Sequence, residues 1–213
     1  MAVFITEVEA GPTALIIVGS LLIVAAVMGL LIKEIGLADG TLTWGDVGDK
    51  IRESDTPEEA LSLASAATLI APAIQHDPDI RALSAAAYEE VVIGQLTAVF
   101  NRAAVRGSGP RDLGRDATVT AEGKTLGIET RFGDPAKPMS ASDLRQRVQR
   151  MLGRSVDLDA VIIVSNMCEP PLSALGEARD LAQSQGKNFQ YVRWTGTGDT
   201  PALQRVIQDH LQG

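Results

Sequence analysis

Asp116–Arg131 reads DATVTAEGKTLGIETR, and its alternation decides how the flanking chain folds. Val119 and Ala121 alternate with Thr118, Thr120 and Glu122, the period-two pattern of a half-buried strand. Glu122-Gly123-Lys124 supplies a turn, with Gly123 free to adopt the positive φ of a tight hairpin. Leu126, Ile128, Thr130 and Phe132 then alternate with Gly127, Glu129 and Arg131, so a second strand follows directly. Residues two apart on a strand share a face, which places Glu129 beside Arg131. Asp116, where the first strand opens, comes near that pair across the hairpin. Two carboxylates and a cation at one strand edge make a candidate site for a divalent metal ion.

Working outward, the neighbouring segments predict a sheet covered by helices. Asp77-Pro78-Asp79 opens a helix that places Leu83, Ala87, Val91 and Leu96 near one face. Ser140-Ala141-Ser142-Asp143 resembles a capping box and starts the helix DLRQRVQRMLGR. Arg147, Arg150 and Arg154 follow on it as one basic stripe, either a phosphate-facing surface or simply a solvated face. Ala160–Val164, AVIIV, is a short continuous apolar run suited to a central strand buried on both sides. Pro170-Pro171 precede a helix over Leu172–Gln185, Asn188–Trp194 is a further strand, and Thr200-Pro201 begin the terminal helix. From residue 85 the order is helix, hairpin, helix, strand, helix, strand, helix: an α/β fold with a mixed sheet between helices. The loop RGSGPRDLGR at 106–115 precedes Asp116, and Asp112 within it is an alternative acidic ligand. Gly123-Lys124-Thr125 does not close a nucleotide-binding loop. Thr118 stands where that loop needs glycine, and a strand pattern follows the lysine instead of a helix.

These residues resemble the core of the PD-(D/E)XK, or restriction-endonuclease-like, nuclease superfamily, with the type IV restriction enzyme nuclease domain the nearest likeness. In that family an Asp opens one strand and a Glu-x-Lys or Gln-x-Lys triplet sits on the next. Here Asp116 and Glu129-Thr130-Arg131 match, with arginine where the family has lysine. The family's first core helix carries an aromatic-Glu-x-aliphatic-aliphatic signature. Tyr88-Glu89-Glu90-Val91-Val92 matches it and nominates Glu89, whose plainer role is a solvent-facing carboxylate. The resemblance covers about residues 85 to 213. It implies a three-layer α/β/α domain in which Asp116 and Glu129 hold Mg²⁺ for phosphodiester hydrolysis of DNA, with Arg131 and Glu89 as further catalytic residues. Arginine bears on that chemistry, because a guanidinium with a pKa above ~12 binds phosphate well and carries protons poorly. A nucleic-acid-binding derivative without cleavage is therefore a second expectation. A non-catalytic, membrane-anchored scaffold or protein-interaction module is the third.

The N-terminal part is of another kind. Residues 14–32, ALIIVGSLLIVAAVMGLLI, are nineteen consecutive uncharged residues. As a helix they span roughly 28 Å, close to a bilayer's hydrocarbon thickness. Glu7 and Glu9 precede the run and no Lys or Arg does, which argues for a retained transmembrane helix over a cleaved signal peptide. Lys33, Lys50 and Arg52 lie beyond it, predicting a single-pass protein of the cell membrane with its N-terminus outside and the bulk of the chain cytoplasmic. Ala25 and Gly29 are spaced to let two such helices pack closely, so a homo-oligomer is one expected assembly. Three regions follow: tail and transmembrane helix over 1–35, juxtamembrane linker and helix over 36–78, and the α/β domain over 79–213. Within the second, 36–56 reads as linker and Pro57 with Glu58-Glu59 opens a helix to about Ile70.

The formal charge of −8 is unevenly spread. Residues 1–100 hold four Lys/Arg against fourteen Asp/Glu, whereas 102–154 hold eleven against six. An acidic front before a locally basic motif region suits an anchored nucleic-acid-binding domain. A single cysteine, Cys168, excludes an internal disulfide, and with His76 and His210 far apart no zinc-ligand spacing can be written.

Overall fold

The structure is a computed structural model and describes residues 44–70, 74, 76–107, 115–154 and 157–213. Helices α1 (Trp44–Arg52), α2 (Pro57–Ile70) and α3 (Pro78–Phe100) lead into strands β1 (Val105–Gly107), β2 (Ala117–Ala121) and β3 (Lys124–Arg131). Helix α4 (Ala141–Arg154), strand β4 (Ala160–Ser165), helix α5 (Leu172–Gln183), strand β5 (Asn188–Arg193) and helix α6 (Thr200–Gln212) complete the order. The sheet runs β1-β2-β3-β4-β5, antiparallel from β1 to β3 and parallel from β3 to β5. It is a mixed α/β fold.

Helices cover both sheet faces. On one, Tyr88, Val91, Val92 and Leu96 of α3 and Leu203, Ile207 and Leu211 of α6 pack on Ala117, Val119, Leu126, Ile128, Ile162 and Val164. On the other, Leu144, Val148 and Met151 of α4 and Ala174, Leu175 and Ala178 of α5 pack on Val161, Ile163, Phe189 and Tyr191. All six residues of β4 are buried, as its continuous apolar run requires of a strand paired in parallel on both edges.

The hairpin forms where the alternation places it, with Ala121 opposite Lys124 and Ala117 opposite Ile128. Both turn residues are left-handed, Glu122 at φ 54° and Gly123 at φ 80°. A two-residue turn of this kind matches the strand twist. Helix α3 starts as its sequence indicates: Asp77 caps it by accepting from the backbone N–H of Asp79 and Ile80, with Pro78 at the first position. Ser140 caps α4 by accepting from the Asp143 N–H at 3.1 Å.

Two segments differ from expectation. The Gly/Asp/Thr-rich composition of 36–56 predicts linker, yet Trp44–Arg52 is helical. Tertiary packing supplies what propensity withholds: Val47 and Ile51 share a core with Leu63, Ala64 and Ala67 of α2 and Ile80 and Ala87 of α3. Val105–Gly107, at the margin of the Gly/Pro/Arg-rich loop, pairs with β2 as a short edge strand. The candidate transmembrane run at 14–32 and Asp112 lie outside the described residues. Among the described residues no helix is long and apolar enough to cross a membrane.

Candidate functional site

The site lies where β3 passes beneath α4. Gly127, Glu129 and Arg131 alternate toward that helix, while Leu126 and Ile128 enter the opposite core. Gly127 is needed there. A Cβ on it would stand 2.6 Å from Leu158 Cδ1 and 3.1 Å from Met151 Cε, so glycine lets α4 settle close to the strand.

Asp116 and Glu129 are brought together as the hairpin predicts. Extending the β2–β3 register by one residue sets Asp116 opposite Glu129, and the Asp116 N–H donates to Ile128 O at 2.8 Å. The Asp116 carboxylate is held in place: Oδ2 accepts from the Thr130 backbone N–H at 2.6 Å and from Thr130 Oγ1 at 2.5 Å. Glu129 is only 5% exposed. Burial and the nearby Asp116 push its carboxyl up to about 7, against the opposing pull of Arg147 and Arg150.

Arg147 reaches inward from α4. Its Nη1 donates to Glu129 Oε1, and its Nε donates to Asp143 Oδ1 at 3.1 Å. Asp143 also faces Arg131, Oδ2 lying 3.4 Å from Arg131 Nε in a charge contact without hydrogen-bond geometry. Burial draws the Arg131 guanidinium below its ordinary pKa, as do the neighbouring charges of Arg147 and Arg81, while Asp143 and Glu129 oppose the shift. The centre is thus an ion-pair network with Asp116 and Glu129 at one end and Arg131, Asp143 and Arg147 at the other.

The expected basic stripe on α4 is divided. Arg147 is committed to Glu129 and Asp143, Arg150 is half-buried with its charge acting on Glu129, and Arg154 is exposed at the helix end. Glu89 sits half-buried on α3, one residue after Tyr88. The Tyr88 ring meets Phe132 at a tilt, centroids 5.6 Å apart, and Trp194 edge-on at 5.7 Å, and its hydroxyl donates to Trp194 O at 2.8 Å. These contacts fix α3 against the end of β3. Among the described residues no group of three His, Cys, Asp or Glu side chains is placed to hold a metal ion.

The donor set does not fit Mg²⁺ as it is arranged. The cation requires ionised, available oxygens. Glu129 is shifted toward protonation and gives Oε1 to a guanidinium, and Asp116 Oδ2 already accepts two hydrogen bonds. What the centre offers instead is fixed positive charge beside two largely satisfied carboxylates.

Thr130 and Asp143 have roles in the network that the residue pattern alone does not assign. Asp143 precedes Arg147 by four residues, the helical ion-pair spacing, and that signal was available. No protein-family model matches the chain, and neither the curated proteins nor the solved structures give a significant match.

Proposed function

We propose that this chain is a restriction-endonuclease-like module that holds nucleic acid by its phosphate backbone without cleaving it. The supporting observation is the seat of Arg147 on Glu129, where the family resemblance would put a metal ion. Arginine at 131 instead of lysine supports the same conclusion, since the group replacing a proton carrier is a phosphate binder. Arg150, half-buried, and Arg154, exposed, follow Arg147 on α4, within a stretch of sequence that is locally basic although the whole chain is acidic. Magnesium-dependent hydrolysis of DNA, the other outcome of the resemblance, has less support because both would-be ligands are engaged.

The proposed setting is the cytoplasmic face of the cell membrane, with 14–32 as the span and Ala25 with Gly29 as the proposed contact between copies. The apolar length of that run and the basic residues after it support this placement.

Duplex DNA binding by the full chain in detergent, measured across a salt series, tests the function. Affinity should fall linearly on logarithmic axes, and Arg150→Ala and Arg154→Ala should each lower the slope by about 1. Binding that is absent, or indifferent to salt and to both substitutions, would overturn it.

A further inference from the structure

A cavity of about 240 Å³ opens between the helical pair α2/α3 and the end of β3, beside the ion-pair network. Arg81 and Arg131 line it from opposite elements, with Ser65 and Thr68 of α2, Ser84 of α3 and the segment Phe132–Pro135. Its wall is mostly carbon, interrupted by these few polar groups, which is the usual composition of a small-molecule site.

The floor is preorganised. Asn166 Oδ1 accepts from the Gly133 N–H and Asn166 Nδ2 donates to Gly133 O, both at 2.8 Å, so one side chain clamps the turn from both sides. Pro135 O accepts from Arg193 Nη2 at 3.3 Å and from Cys168 Sγ at 3.2 Å. Gly133 is packed so tightly that a Cβ would stand 2.6 Å from Met167 Sδ. A segment tied at three points does not have to be ordered by its ligand.

Charge selects the ligand class. Arg81 and Arg131 line the cavity together, and Asp143 and Glu129 are the carboxyl groups that face Arg131 from α4 and β3. Asp134, the acidic residue on the cavity wall, is occupied by Lys137 at 3.0 Å and by the Ala136 N–H. On the cavity wall itself two arginines stand against one carboxylate, Asp134. Ser65 and Ser84 spend their hydroxyl protons on the carbonyls of Leu61 and Ile80, so each oxygen keeps acceptor capacity for a hydroxyl or amine. The required molecule is small, anionic at one end and partly apolar, with hydrogen-bond donors on its body.

We propose that this cavity binds a phosphomonoester of nucleotide type, its phosphate on Arg81 and Arg131 and its sugar or base along Phe132 and Pro135. The phosphate belongs either to a free nucleotide or to the phosphorylated end of a strand. Neither source depends on the helix α4 surface assigned to backbone binding. Arg81, exposed on α3, belongs to the cavity and not to the ion-pair network.

The test uses the full chain in detergent, titrated with adenosine monophosphate and, separately, with short single strands carrying a terminal phosphate or a terminal hydroxyl. Saturable binding of the monophosphate is expected, weakened on the order of tenfold by Arg81→Ala and partly retained in Arg81→Lys. If a strand end is the source, the phosphorylated strand should bind more tightly than its hydroxyl counterpart, again through Arg81. The proposal is overturned if the monophosphate does not bind and the two strands bind alike, or if Arg81→Ala changes neither. Loss of duplex binding in the Arg150 and Arg154 variants leaves this measurement untouched, so the two functions fail separately.

Discussion

Arg147 of α4 and Glu129 of β3 form an ion pair at the helix–sheet boundary, Nη1 on Oε1, with side chains 15% and 6% exposed. The pair joins the second strand of the hairpin to the helix that follows it. It also turns what resembles a metal-binding triplet into an internal charge network. Its consequences for stability are measurable.

Glu129 should make stability pH-dependent. Its folded-state pKa of about 7 lies above the ordinary 4.5, so the folded protein holds this proton more tightly than the unfolded chain. The stabilisation from Glu129 is therefore fully present below pH 4.5 and is lost as pH rises toward 7. Integrated over that window it amounts to about 3 kcal/mol. Denaturant unfolding at several pH values should show this slope in the wild type and a flatter profile in Glu129→Gln.

Arg147→Ala should destabilise by about 3 kcal/mol at pH 8, where it leaves a buried carboxylate without its cation. At pH 5 Glu129 is protonated in the wild type, and the cost should shrink to about 1 kcal/mol, from lost stem packing and the Asp143 ion pair. Equal losses at the two pH values would show that the pair contributes no charge coupling.

Gly127→Ala should cost about 1–3 kcal/mol, because the new methyl group drives into Leu158 and Met151 beneath α4. In the double variant with Leu158→Ala the loss should be smaller than the sum of the two single losses, since each change relieves the other. Urea midpoints of the four proteins decide it.

Tyr88→Phe should cost about 1–2 kcal/mol. It keeps the ring contacts with Phe132 and Trp194 and deletes only the buried bond to Trp194 O, leaving that carbonyl unsatisfied. Thermal unfolding of the variant reads this directly.

Much of the architecture is legible in the amino-acid order, for particular reasons. Alternation from Val119 to Phe132 specifies both strands and which residues share a face, because a strand has only two faces. Ala160–Val164 declares itself central through an unbroken apolar run. Helix α1 is not legible, because its two glycines lower propensity and its stability comes from Val47 and Ile51 meeting partners on α2 and α3. At the site, the closeness of Asp116 and Glu129 follows from hairpin register. The inward turn of Arg147 does not, since a period of 3.6 puts it at the edge between the buried Leu144–Val148–Met151 face and solvent. An arginine there can turn either way, and the buried Glu129, set on a different element, decides which. Arg81 and Arg131 line one cavity only through the packing of α3, which local sequence does not encode.

In the proposed function the protein holds nucleic acid by its phosphate backbone and leaves the phosphodiester bonds intact. The most direct test incubates the full chain with plasmid and linear DNA in Mg²⁺ or Mn²⁺, beside Asp116→Ala, and follows both cleavage and retention of DNA. Retained, salt-sensitive DNA with no cleavage in either protein is the predicted result. Metal-dependent cleavage that disappears in Asp116→Ala would contradict the account, and would mean that Arg147 yields Glu129 to a metal ion when nucleic acid is bound.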